Sequence, residues 1–166
     1  MLNNQYALNR IKEAFGDHIT DAAESYGMLT VSVNKEAYFN LIKFLKEDAE
    51  LNCMFLTDLT GIHDPGRVNE ELGVIVHLHN LAANFRIRVK TFASSEHHSI
   101  KSLIPLFKGA NWMERETFDF FGIHFSGHPN MKRILNVDDM DYHPLLKQYP
   151  MEDQTREDKN NKYFGR

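Results

Sequence analysis

Apolar positions recur along this chain in two rhythms, and their alternation predicts an order of elements. Leu8, Ile11 and Phe15 repeat at helical spacing within Asn4 to Phe15, with Gly16 just beyond. From Tyr26 to Val33 the period changes to two: Leu29, Val31 and Val33 face one way, Thr30 and Ser32 the other, as in a half-buried strand. Asn34 is placed to cap a helix running to about Asp48, carried by Tyr38, Leu41, Ile42 and Leu45. Cys53 to Leu59 reads as a second strand, ended by Gly61 and the Asp64-Pro65-Gly66 turn. A hairpin follows. Leu72, Val74, Val76 and Leu78 share a face in its first strand, against Ile75, His77 and His79, and Phe85, Ile87 and Val89 point inward in its second. Ser99 to Phe107 suggests a helical turn or two around Pro105, which would sit badly inside a long helix. A charged helix then runs from Asn111 to Gly122.

After Gly122 the rhythm stops. Through Pro150 the chain carries three prolines and little period, so it can bury no core alone. Its backbone N–H and C=O groups need partners, either from the preceding domain or from another protein. The expected fold class is therefore α+β. Residues 1–125 form a mainly antiparallel sheet covered by helices, and 126–166 form an extended, irregular C-terminal arm and tail. The tail beyond Met151 is half charged and is expected to be disordered in isolation, with Tyr163 and Phe164 able to anchor it to a partner.

Composition narrows the functional classes. The chain has 166 residues, 42% of them hydrophobic, and a net charge of −4, which leaves no electrostatic footprint for nucleic acid or an anionic membrane. A locally basic stripe, Arg86, Arg88 and Lys90, lies on the outer face of the hairpin, where it is either solvated or a docking face for an acidic partner. The single cysteine, Cys53, excludes an internal disulfide and an all-cysteine iron–sulfur cluster built by this chain alone. No apolar run approaches the ~20 residues of a membrane span, and the first residues lack the basic and apolar regions of a signal peptide. A reducing, cytoplasmic setting fits.

Catalytic chemistry finds little support. Cys53 opens an apolar strand, a setting for an inert core thiol. No GxSxG elbow, GxGxxG loop or Walker loop occurs. Histidines are plentiful: His77 and His79 on one strand face, the His97–His98 pair, His63 beside Asp64, then His124, His128 and His143. They could donate to zinc, yet their spacing matches no ligand pattern such as HExxH, which favours scattered surface and loop histidines. The Glu114-Arg115-Glu116-x-x-Asp119 helix is more informative. Asn111 with Glu114 predicts a start resembling a capping box, and Met113, Thr117, Phe120 and Phe121 give a stripe that docks on the sheet. Trp112, Arg115 and Asp119 lie along another stripe. There Arg115 and Asp119 are one turn apart and close enough to pair, a contact worth only ~0.2–0.5 kcal/mol in isolation.

The string Glu114-Arg115-Glu116-x-x-Asp119-Phe120-Phe121, followed by His128, Lys132, Ile134 and Leu135, resembles the signature of the C subunit of respiratory complex I. Gly127-His128-Pro129, Arg133-Ile134-Leu135, Asp138-Asp139 and His143-Pro144-Leu145 extend the likeness over about forty residues. The resemblance implies a non-catalytic, cofactor-free subunit of NADH:quinone oxidoreductase, peripheral on the cytoplasmic side of the bacterial membrane and attached to it only indirectly. FMN, iron–sulfur clusters and quinone would be bound by other subunits, and this one would brace chiefly the large D subunit, with the B subunit nearby. It further implies that Trp112, Glu114, Arg115, Glu116, Asp119, His128, Pro129, Lys132, Arg133, Asp138, Asp139, His143 and Pro144 serve the partner interface, with no catalytic or metal-binding residue. Residues beyond about Ser126 would then be mobile until a partner is bound. Lys132, Met140, Leu146 and Gln148 depart from the residues most frequent in the family; the last two stand where Arg and Asp are often found, so charged contacts there are missing. Two other readings are the equivalent subunit of a membrane-bound hydrogenase or donor-variant complex, and a freestanding histidine-rich metal enzyme.

Overall fold

The computed structural model describes residues 2–96 and 98–150; His97 and the tail from Met151, including Tyr163 and Phe164, lie outside the described residues. In chain order the elements are α1 (Asn4–Phe15), β1 (Ile19–Ser25), β2 (Met28–Val33), α2 (Lys35–Glu47), β3 (Phe55–His63), β4 (Leu72–Asn80), β5 (Phe85–Ala93), β6 (Ser99–Lys101), α3 (Ala110–Phe121) and β7 (His124–Ser126). Five strands make one sheet in the order β1-β2-β5-β4-β3, antiparallel at every pairing except β2 with β5. The irregular arm follows β7. The fold is the expected α+β arrangement.

The period-two faces explain the layering. Across the sheet, Leu29 pairs with Ile87, Val31 with Val89, Ile87 with Leu78 and Val89 with Val76, so one continuous apolar face forms. Against it lie Ala7 and Ile11 of α1 and Tyr38, Leu41, Ile42 and Leu45 of α2, all 0% exposed. Each fully buried aliphatic side chain here contributes roughly 1.5–3 kcal/mol of transfer free energy. Cys53 is buried in this layer; burial, aided by Asp48, pushes its thiol up to about 12, so it stays protonated and inert.

Several local expectations needed correction. Tyr26 and Gly27 do not open β2. They take positive φ (53° and 75°) and turn the chain between β1 and β2, and β1 itself is a largely exposed edge strand with almost no apolar pattern to announce it. Asn34 does cap α2, but through its backbone carbonyl, which accepts from Ala37 and Tyr38; its side chain makes no cap bond. β3 does not stop at Gly61 but continues to His63. Gly61 is where the Phe121 ring lies on the strand, and a Cβ there would come within 2.4 Å of it. Ser99–Phe107 is not helical at its start: Ser99–Lys101 form β6, parallel to β7 from beyond α3, and Ile100 and Leu103 are buried.

The outer face carries the basic stripe as expected, with Arg86 opposite His79, Arg88 opposite His77 and Lys90 opposite Ile75. Arg88 Nε donates to His77 Nε2 at 2.8 Å, which occupies that imidazole lone pair. Burial, together with the neighbouring Arg88, holds His77 below the usual histidine range, so it is neutral.

Candidate functional site: the charged helix and the arm it holds

α3 lies over β3 on the apolar face of the sheet, its ring Phe121 seated on Gly61 and its Thr117 buried. Its first turn differs from the expected capping box. Gly109 is the N-cap, no side chain caps the helix, and Glu114 points inward instead of back along the helix. Glu114 is 0% exposed; Ser102 Oγ donates to one of its oxygens at 2.7 Å and the Leu103 N–H to the other at 2.6 Å. It thereby ties the turn after β6 to the helix. Burial pushes its carboxyl up to about 7, with the Ser102 and Leu103 donors restraining the rise.

One turn and a half later, Asp119 is also 0% exposed but has a different company. One oxygen accepts from the backbone N–H groups of Ile134, Leu135 and Asn136 at 3.1, 2.8 and 2.9 Å. The other accepts from Arg133 Nη1 at 2.7 Å and from the Asn136 side-chain amide at 3.1 Å. Burial opposes ionisation, but the N–H donors of Asn136 and Leu135 and the Arg133 guanidinium outweigh it and hold the carboxyl far below the usual range.

The Arg133 side chain is 10% exposed and also donates to the carbonyls of Asp119 (3.1 Å), Met140 (2.7 Å) and Tyr142 (2.8 Å), so residues 133–142 form a loop closed by one guanidinium. The helix end is completed by the arm as well. The Asp119 carbonyl meets His143 Nδ1 at 2.9 Å, and the Phe120 carbonyl accepts from the Leu145 N–H at 3.1 Å, which satisfies carbonyls a helix C-terminus leaves free. Gly122, at φ 77°, turns the chain there; a Cβ on it would lie 2.7 Å from the His143 ring, so this glycine is required twice over.

The expected Arg115–Asp119 pair is not formed. Arg115 reaches across to the Lys132 and Arg133 carbonyls at 3.0 and 2.7 Å, and Arg133 takes its place beside Asp119. His128 accepts from the Asn130 N–H at Nδ1, which leaves Nε2 to donate to the Asn111 carbonyl at 3.1 Å. His63, on β3, accepts from the Lys147 N–H at 2.9 Å. The arm therefore finds inside its own chain the partners that an arm mobile until docked would lack.

Of the residues read as interface-forming, Glu114, Arg115, Asp119, His128, Arg133 and His143 come together in this clasp. Trp112, at 58% exposure, with Glu116, Pro129, Lys132, Asp138 and Asp139, faces solvent, and Pro144 is half-buried. Asn136, Ser102 and His63 were not among the expected residues, although an asparagine just past Arg-Ile-Leu is a natural side-chain donor to a buried carboxylate. Among the described residues, no three His, Cys, Asp or Glu side chains converge as a metal group, and no helix is long and apolar enough to cross a membrane.

Residues 31–155 match the family model described as "Respiratory-chain NADH dehydrogenase, 30 Kd subunit". The chain belongs to that family. It is 40% identical over 157 residues to the C subunit of NADH-quinone oxidoreductase from Citrifermentans bemidjiense, covering 95% of this chain and 96% of the relative. It is 40% identical to the protein of the same name from Roseiflexus castenholzii, covering 90% and 86%. Among solved structures, the fold is shared with a trypsin-resistant fragment (1–134) of Nqo5, at TM-score 0.66 and 24% identity over 76% of this chain and 98% of the fragment. It is shared also with a chain of an archaeal membrane-bound sulfane sulfur reductase, at TM-score 0.74 and 20% identity over 89% and 85%. The family is one of subunits of the NADH-quinone oxidoreductase complex, and the charged helix and most of the arm fall within the matched span.

Proposed function

We propose that this chain is a bracing subunit of NADH:quinone oxidoreductase, with no catalytic site and no cofactor of its own. It serves a complex in which other subunits pass electrons from NADH through FMN and iron–sulfur clusters to quinone, coupled to proton translocation. It stands on the cytoplasmic side of the membrane, held there chiefly by the large D subunit, with the B subunit nearby. One observation carries the reading: in a chain that matches the family over 31–155, the two buried carboxylates of α3 are both engaged in holding structure. Glu114 holds the 102–103 turn and Asp119 holds the arm, and both are 0% exposed, which leaves neither accessible to a substrate. What the helix builds is a rigid surface.

The test is affinity purification of the tagged full-length chain from native membranes, with mass spectrometric identification of what accompanies it. The D and B subunits should co-purify in stoichiometric amounts with NADH:quinone activity. A large partner protein with hydrogenase-type nickel ligands, or recovery of the chain alone with bound zinc or iron, would overturn the assignment.

A further inference from the structure

The loop closed by Arg133 has a tip whose chemistry the clasp leaves unused. Three consecutive N–H groups, those of Ile134, Leu135 and Asn136, are committed to Asp119, and the far side of the loop is fixed by Arg133 through the Met140 and Tyr142 carbonyls. With its backbone held this way, the loop turns two aliphatic side chains outward: Leu135 is 66% exposed and Val137 62%. Directly after them come Asp138, Asp139 and Asp141, all exposed and with no ion pair among the described residues. Exposed aliphatic residues scattered singly mean little. Here two of them stand close together on a preorganised loop, beside three uncompensated carboxylates.

We infer that the 135–141 tip is a preformed anchor that inserts Leu135 and Val137 into an apolar cleft of another subunit of the complex, a cleft rimmed by lysine or arginine side chains that meet Asp138, Asp139 and Asp141. The inference rests on the bracing role proposed above and adds to it the residues and the chemistry of the contact. A loop already held in its bound shape loses little conformational freedom on docking, which favours tight binding by a small patch. The carboxylates supply orientation and salt dependence. The other occupant available is the chain's own tail, residues 151–166, which carries Arg156, Lys159, Lys162 and Arg166 as well as Tyr163 and Phe164.

A photo-crosslinking amino acid in place of Val137, in the tagged full-length chain assembled in native membranes, separates the two. Illumination should give one adduct with another subunit of the complex, mapped by mass spectrometry to an apolar segment flanked by basic residues. In parallel, Leu135→Ser with Val137→Ser should weaken retention of the chain in the purified complex by roughly tenfold or more. Asp138→Asn with Asp139→Asn should flatten the salt dependence of that retention. Both pairs are exposed, so the isolated variants should melt where the unaltered chain does. If the complex co-purifies but the adduct maps to residues 151–166, or no adduct forms and the serine variant is retained in full, the anchor is overturned while the bracing role stands. If no other subunit accompanies even the unaltered chain, both are overturned.

Discussion

Glu114 and Asp119 stand on the same helix, both fully buried, yet their protonation is pushed in opposite directions. Both are shut off from solvent, but Asp119 lies nearer the surface than Glu114, so desolvation weighs less on it and its donors decide the outcome. Glu114 receives two neutral donors and no cation, and desolvation wins. Asp119 receives five donors, one of them a guanidinium, and desolvation loses. A buried carboxylate is thus stabilised as an anion by the number and charge of its donors, and a local excess of backbone N–H groups beside a cation is enough to reverse the effect of burial. The consequence is structural. Asp119 can organise a segment without regular structure because that segment supplies unpaired N–H groups, whereas Glu114 can only pin a single turn.

Four measurements would break or sharpen this contrast. Asp119→Asn should have the largest effect, because it removes the anion and leaves Arg133 buried without its partner. We expect a loss of about 3–5 kcal/mol, with fast amide exchange at Ile134, Leu135 and Asn136 while the sheet stays protected; retained protection at those three amides would show that Asp119 is not what holds the arm.

Next comes pH. The Glu114 carboxyl is raised in the folded state, so its contribution is complete below about pH 4.5 and is lost as the pH rises through about 7. Glu114→Gln should abolish that decline, a difference reaching about 3 kcal/mol by neutral pH, read from urea midpoints across pH 4–8. Parallel curves for the two proteins would refute it. The sign is opposite at Asp119, whose depressed carboxyl stabilises above the ordinary aspartate range and whose contribution fails as acid is added below about pH 4.

Asn136→Ala deletes one of Asp119's five donors and should cost about 1 kcal/mol, with the arm still protected from exchange. Ser102→Ala deletes one of Glu114's two donors, a similar or smaller loss. It should move the Glu114 titration, followed by carboxyl NMR, further upward; a downward move would mean that Ser102 acts as acceptor and not donor.

How far these features could be read in the sequence depends on the range of the interaction that sets them. The apolar faces of β2, β4 and β5 and the stripes of α1 and α2 follow from local periodicity, and the structure reproduces them. But β2 is not the half-buried strand expected: Thr30 and Ser32 on its other face are buried as well, because β2 lies inside the sheet between β1 and β5. β1 escaped because Thr20, Asp21 and Ala22 carry no alternating apolar face, as suits an exposed edge. β6 and β7 escaped because each is three residues long and exists only by pairing with the other across α3. Within the site, the charged residues were legible as a group, but their partners were not. Arg115 and Asp119 are neighbours by helical spacing, and a local rule joins them; the five donors gathered from residues 133–136 win that competition because together they outweigh one half-buried cation, which bonds the Lys132 and Arg133 carbonyls instead. The glycines at 61 and 122 show the same limit, since the rings that require them, Phe121 and His143, come from elsewhere in the chain.

The one parallel pairing within the five-stranded sheet, β2 with β5, has a consequence for the chain as it is made. Leu29 to Ser32 lie next to Ile87 to Lys90, yet α2, β3 and β4 must all be synthesised between them. At about 5–20 residues per second, the β1–β2 hairpin leaves the ribosome several seconds before the strand that completes its inner edge. During that interval β2, nearly all of whose side chains end up buried, offers an open row of N–H and C=O groups to any passing strand. α1 and α2 emerge in the same early stretch; α1 packs on that hairpin and against α2, whereas the main sheet contact of α2 is with β5. The nascent chain can therefore cover part of that surface with α1 before its sheet is whole, and the arm, translated after the sheet, closes over a domain already built.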